Sequence, residues 1–399
     1  MDPTLWLLCC GIGTLLIRVG SALHCSGMSR SKNSSGAVMR LVVDLALVSL
    51  SFWLIGAALM GSGGHFINWK LIASLRGAVQ PAQPFFLLTA ILISSGIVVG
   101  AVGERSKFFP ACAASIALAG VVVPLAARWT LAGGWLARLG FVDFAGAAAI
   151  HLTGAAAGLV FVYFLGARMG KYNNDGSSNA IPGHNVPLAS VGVLVLFVGW
   201  IPYLLGFAGP GPRAGSVAMN VVLAGSAGAV ASLVFGHFRY YKPDVHFTYS
   251  GLMAGMVAIS AAGNTDSTLW AAVIGAAAGL LIPSAIIVVD MIWKFDDVTG
   301  AIAVHGVGAI IGLALAPFAA ALSWGGRFAA LGMQVLGVAV VLALVAAVFV
   351  PLLWILRGAF GLRSREADEF DGLDLAEHDI GAYPDFQQNM IKSYHLREA

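Results

Sequence analysis

The stretch Asp143-Phe-Ala-Gly-Ala-Ala-Ala-Ile-His151-Leu-Thr-Gly-Ala-Ala-Ala-Gly-Leu159 aligns without gaps on Asp297-Val-Thr-Gly-Ala-Ile-Ala-Val-His305-Gly-Val-Gly-Ala-Ile-Ile-Gly-Leu313. Gly and Ala coincidences are cheap in an Ala-rich chain. The Asp and the His, eight residues apart in both copies, are not. Eight helical residues rise about 12 Å, so an Asp at each helix start would put its His near the middle of a hydrocarbon layer about 30 Å thick. An ionisable side chain at that depth is costly and is a functional candidate by default. The bland alternative, a helix-packing hydrogen bond for each imidazole, suits a lone histidine better than two at equivalent positions. His151 and His305 are read as a pore-lining or binding pair. Asp143 and Asp297 read first as caps accepting bonds from free helix N–H groups. The small residues Gly154, Ala155 and Gly158, with Gly308, Ala309 and Gly312, allow close helix approach and carry no ligand role of their own.

The rest of the chain is equally membrane-like. Of 399 residues, 59% are hydrophobic and 10% charged, with mean hydropathy +0.86; a soluble chain carries roughly a quarter charged residues. Eleven apolar runs fall near residues 4–25, 38–62, 84–103, 109–128, 143–166, 188–208, 216–237, 250–264, 269–290, 300–320 and 330–357. Most have the length of a bilayer-spanning helix. The eighth is short, so the count is open by one. Continuous runs, rather than short alternating segments, exclude a strand barrel. The fold expected is an all-α polytopic membrane protein.

The two histidine blocks open the fifth and tenth runs. An odd period of five helices sets the two halves, about 1–166 and 188–320, in opposite orientations, with 330–357 as a final helix. Inverted repeats place a substrate site near the midplane between the halves. A pseudo-two-fold axis would bring His151 and His305 together. Residues 1–357 form the expected membrane domain and 358–399 a tail.

Orientation follows from the basic residues of alternate loops. One side holds Arg30, Lys32, Arg40, Arg105, Lys107, Arg168, Lys171, Arg239, Lys242, Lys294, Arg357, Arg363, Arg365, Lys392 and Arg397; the other holds Lys70, Arg76, Arg128, Arg138, Arg213 and Arg327. Fifteen against six predicts a cytoplasmic C-terminus and an outer N-terminus. Met1-Asp2-Pro3 has no basic n-region, so the first helix reads as its own insertion signal. Arg18 alone lies inside a helix. It sits about as far from the cytoplasmic end of helix 1 as Asp44 does from that of helix 2, which predicts a buried Arg18–Asp44 ion pair. An unpaired charge there would be costly. A structural staple is the first reading and a gating contact near the inner pore mouth the second.

Cys9, Cys10, Cys25 and Cys112 have no metal-ligand spacing, so neither a disulfide framework nor a metal site is expected. No nucleophile elbow, P-loop or paired buried carboxylates appear, so an enzyme is not expected, nor any cofactor. The net charge of +3 restates the inside bias and implies no nucleic-acid partner.

At the histidine blocks the chain resembles the ammonium transporter (Amt/Rh) family. The likeness extends to Gly100-Ala-Val-Gly-Glu-Arg105, Gly199-Trp200, Asp296-Asp297, Gly361-Leu-Arg363 and, in the tail, Gly372-Leu-Asp374 with His378 and Ala382-Tyr383. It implies an eleven-helix, five-plus-five fold in the cell membrane, assembled as a homotrimer with one pore per subunit. The implied activity is conduction of ammonium or ammonia, with methylammonium as a close analogue. The implied mechanism captures ammonium outside, deprotonates it and passes ammonia by the twin histidines. Some members are instead ammonium sensors, the second reading kept for this chain.

The resemblance also assigns an outer aromatic recruitment site to Trp129 and Tyr203, the latter in place of the usual Phe. Phe207 stands where a serine is usual. At the gate Phe86 is kept, Tyr203 is the neighbouring ring, and Ala90 takes the place of a second Phe. The outer site is therefore remodelled. The acidic tail resembles one that packs on the cytoplasmic face and couples subunits or receives a PII-type regulator. Asp379-Ile380 replaces the familiar Gly-Glu after His378 and puts that regulator in doubt. The segment from Pro384 to Ala399 reads as a plain tail or as a linker to a downstream signalling domain.

Overall fold

The computed structural model describes residues 1–61, 82–131 and 133–384. Lys70, Arg76, Lys392, Arg397 and the tail beyond Pro384 lie outside the described residues. Among those described the chain is helical, with no strand beyond isolated bridges. Among the described residues nine helices are long and apolar enough to cross a membrane, and Val245–Ile259 and Ala303–Ala319 are shorter apolar helices. In chain order we label α1 (Pro3–Met28), α2 (Ser31–Met60), α3 (Ala82–Val102), α4 (residues 108–130), α5 (Ala147–Leu165) and α6 (Val186–Ala208). Then follow α7 (Ala214–Tyr240), α8 (Val245–Ile259), α9 (Thr268–Ile292), α10 (Ala303–Ala319) and α11 (Trp324–Ala359). Two short tail helices are α12 (Glu366–Asp371) and α13 (Leu373–His378).

The starts follow ordinary capping chemistry. Asp2 accepts from Thr4 N before Pro3 opens α1, Asn185 caps α6 ahead of Pro187, and Asp244, Ser267 and Ser323 cap α8, α9 and α11. Several helix contacts recur in corresponding pairs. Helix α1 lies along α6, α3 packs on α5 as α8 packs on α10, and α2 meets α3 as α7 meets α8. Backbones come close at small residues: a Cβ at Gly279 would collide with the Gly228 carbonyl. The least exposed helices, α3 and α5, sit at the centre, while α11 presents a mostly uncovered apolar surface.

Arg18 and Asp44, both buried inside this bundle, are paired. Arg18 Nη2 lies 2.7 Å from Asp44 Oδ2, with the two side chains 8% and 2% exposed. Arg18 also donates to the Leu92 carbonyl at 2.6 Å and to Ser95 Oγ at 3.0 Å, and Ser95 Oγ donates to Asp44 Oδ2 at 2.6 Å. Removing one partner of a buried pair strands the other, at a cost of about 3–5 kcal/mol. Arg18→Ala alone is therefore expected to lower the unfolding temperature of the purified protein. Arg18→Ala with Asp44→Ala should cost clearly less than the sum of the single changes. Strict additivity would refute the energetic coupling.

Candidate functional site at the facing histidines

Gly146 and Gly300, at equivalent points of the repeat, hold φ of +82° and +71°. Only glycine takes this left-handed turn without strain, and it reverses the chain just before α5 and α10. Across each turn the preceding aspartate reaches the helix start. Asp143 Oδ2 accepts from Ala148 N at 3.1 Å and Ala149 N at 3.0 Å, and Asp297 Oδ2 accepts from Ile302 N at 2.6 Å. The turn corrects the depth expected from sequence. Helix α5 begins at Ala147, not Asp143, so His151 stands nearer the helix start than eight helical residues would put it.

Both histidines sit on π-helical turns, Ala147–Leu152 and Ala303–Val307. Such turns insert a residue into the α ladder and are frequent at functional sites. His151 is fully buried and His305 is 9% exposed. Their Nδ1 atoms are 3.2 Å apart, with ring centroids 5.1 Å apart and planes 16° from parallel. Trp200 of α6 stacks on His151 at 5.1 Å and donates from Nε1 to Ser260 Oγ at 3.3 Å. The two facing Nδ1 atoms require one donor and one acceptor, because neutral imidazole carries one proton on its two nitrogens. The Nε2 of His151 has no protein partner among the described residues.

Rings continue away from the pair in one direction. Tyr203 meets His151 edge-on at 5.8 Å and Phe207 at 5.6 Å, and Phe207 meets Phe86 at 5.2 Å. The Tyr203 hydroxyl donates to the Ala145 carbonyl. Gly206 admits the Phe86 ring, which a Cβ there would strike. Beyond Phe86 and Phe207 opens a cavity of about 830 Å³, also lined by Asp143 and Asn264. On the other side of the pair is a small cavity of about 40 Å³ lined by His305, Trp200 and His24. The histidine pair separates a wide vestibule from a narrow inner chamber.

The end of the bundle that carries the tail is held by a buried ion network. Arg168 binds Asp296 through both carboxylate oxygens at 2.8 Å and reaches Glu104 Oε2 at 3.1 Å, where Arg30 Nε also arrives at 2.7 Å. Arg105 donates to the carbonyls of Gly166 at 2.7 Å and Asp296 at 2.6 Å. Burial opposes charge on these groups, yet hydrogen bonds and charge from Asp296 hold Arg168 above the ordinary guanidinium value. Bonds from Arg168 and the charge of Arg105 hold the Asp296 carboxyl well below the usual range, and Glu104 is lowered as well. The tail docks here. Asp374 accepts from Ser35 N at 2.9 Å and Gly36 N at 2.6 Å, Glu377 meets Arg40 at 2.6 Å, and Glu369 takes Arg363 Nη2 and Met169 N, each at 2.7 Å.

Residues 5–383 match the model of the Ammonium Transporter Family. The chain belongs to that family. The ammonium transporter Amt2 of Archaeoglobus fulgidus is 32% identical over 420 residues, covering 96% of this chain and 88% of that protein. Amt1 of Haloferax mediterranei, also named an ammonium transporter, is 33% identical over 429 residues, covering 96% and 79%. Among solved structures, one titled Sensor Amt Protein superposes with TM-score 0.89 at 30% identity, covering 94% of this chain and 98% of that one. Mep2 of Saccharomyces cerevisiae, at TM-score 0.78 and 23% identity over 91% of this chain and 90% of that one, shares the fold. This member of the ammonium transporter family is thus a multi-pass membrane protein.

Within the family framework the sequence-selected residues divide. His151, His305, Tyr203, Phe207 and Phe86 form one continuous run of rings, and Ala90 is buried in the central helix α3. Trp129 is not brought to them: it meets Trp135 at 6.1 Å and does not line the large cavity. Two roles went unread in the sequence. Asp143 lines the vestibule and, beyond its capping bonds, keeps Oδ1 without a protein partner among the described residues. His24 lines the inner chamber with Ile17 and Ser21, three positions on one face of α1; that polar pair in an apolar helix was the available signal.

Proposed function

We propose that the protein conducts ammonium nitrogen across the membrane as ammonia, with His151 and His305 taking up the proton. The single observation that carries this is the Nδ1–Nδ1 contact of 3.2 Å between two buried imidazoles that divide a wide cavity from a narrow one. A bare cation in so apolar a passage is strongly disfavoured. Ammonium reaches the vestibule, where the Asp143 carboxylate supplies negative charge and Phe86, Tyr203 and Phe207 supply ring faces for a cation. The proton goes to His151 Nε2, the Nδ1 proton of His151 shifts to His305 Nδ1, and His305 gives up its Nε2 proton on the far side. Ammonia is left neutral and passes the rings.

In this scheme α8 and α10 count with the nine long helices as eleven crossings, with residues 1–357 as the membrane domain in two inverted halves and 358–399 as the cytoplasmic tail. The basic-residue asymmetry supports an outer N-terminus. A homotrimer follows from the family resemblance and suits the uncovered apolar surface of α11. A second reading, an ammonium sensor, draws on the structural relative titled a sensor and on the ring-closed path at Phe86 and Phe207. Reconstitution separates the two. Proteoliposomes should take up ammonium in a saturable manner well above empty liposomes. Saturable binding with no uptake would reject conduction and favour the sensor.

A further inference from the structure

We infer that His24 is a third proton-carrying histidine of this pore, one that receives through a water molecule the proton His305 releases. The inference rests on the twin-histidine reading and extends it inward. His24 is 5% exposed and lines the same chamber of about 40 Å³ as His305. That volume holds a water, which needs polar neighbours, and Ser21, Thr299 and the two imidazoles supply them. His24 Nδ1 lies 3.3 Å from the Ala189 carbonyl, which can only accept. Nδ1 therefore carries the hydrogen and Nε2 keeps its lone pair. That Nε2 makes no hydrogen bond of standard geometry among the described residues, with the Thr299 backbone as a polar neighbour, and the buried Thr299 Oγ1 has no partner among them either.

The transfer balances. His305 Nε2–H gives its proton to the water, the water gives one of its own to His24 Nε2, and His305 is left neutral. The His24 imidazolium later returns that proton to water and regains its lone pair. An exit exists in the right direction. A second cavity, about 20 Å³, shares Cys25 and Thr299 with the first and reaches Glu104 and Leu373 of α13. Groups around His24 that carry or exchange protons are Cys25 on its own helix, His305 opposite, and Tyr249 on α8, whose ring stands 5.4 Å away with His246 beyond it. The competing role is packing, with His24 held by Ala189 and the Tyr249 edge.

The test uses proteoliposomes of the full chain, recording ammonium uptake and ammonium-driven current on one preparation. His24→Phe keeps a ring without a proton site; His24→Gln keeps hydrogen bonding without titration. Both are expected to lower the current about tenfold or more while ammonium binding persists. Wild-type current in both variants, or in His24→Gln alone, would assign His24 to packing and overturn the inference with the twin histidines untouched. Uptake without current in the wild type would also overturn it, since the proton then leaves by another route. Absence of uptake in the wild type would remove the conduction reading as well.

Discussion

His305→Ala is expected to cut ammonium uptake into proteoliposomes by about 100-fold or more, or to let other cations through, and His151→Ala to do the same. Among the described residues each imidazole of the pair is the other's only polar partner at Nδ1. Alanine at either site therefore removes both the proton acceptor and the route to the next one. Fold is expected to survive, because the rings are held by stacking on Trp200 and not by an ion pair. Trimming a ring leaves a cavity, whose cost of about 2–5 kcal/mol is shared by a large bundle. Unchanged uptake and unchanged selectivity in both variants would remove the histidines from the mechanism.

The second large effect is on stability. Arg168→Ala leaves Glu104 and Asp296 buried with much of their compensation gone, a loss of about 3–5 kcal/mol. The pH dependence should also flatten. In the wild type the folded-state carboxyl of Asp296 is held below its unfolded value. Its contribution is complete above an unfolded value near 4 and is lost as the pH falls below it. In Arg168→Ala the Arg105 charge remains but the direct side-chain bonds to the carboxylate are gone, so the carboxyl rises toward its unfolded value and acidification should cost the variant less than the wild type. Unfolding temperatures of wild type and variant measured at about pH 7.5 and about pH 3.5 would check this. A variant that melts like the wild type at both would show that the network carries little energy.

What was legible in the sequence is what symmetry and depth could reach. The gapless match of Asp143–Leu159 to Asp297–Leu313 located both histidines, and the facing geometry followed from inverting one half on the other. Arg18 and Asp44 could be paired because both stand at similar depths on adjacent helices, and a lone charge there would be too costly. The helix start was misplaced because the left-handed turns at Gly146 and Gly300 cannot be told from ordinary glycines without φ. The π turns under His151 and His305 were invisible for a related reason. An inserted residue changes hydrogen-bond register without changing composition. His24 escaped notice because no repeat copy doubles it. Trp129 was placed by resemblance alone, and here its ring meets Trp135.

Phe207 shows how local substitution shapes the outer end. A serine there would offer a hydroxyl to an incoming cation; the phenylalanine instead packs edge-on against Phe86 and Tyr203. In the proposed conduction, capture would depend more on ring faces and on Asp143 than on a neutral acceptor.

The most direct test of proton handling by the histidine pair is wild-type ammonium uptake into proteoliposomes in D2O against H2O, at matched viscosity and adjusted pH. If the proton leaves ammonium and moves through His151 and His305, uptake should be slower in D2O, and the difference should vanish in whatever flux His151→Ala retains. Equal uptake rates in both solvents would contradict deprotonation at the pair.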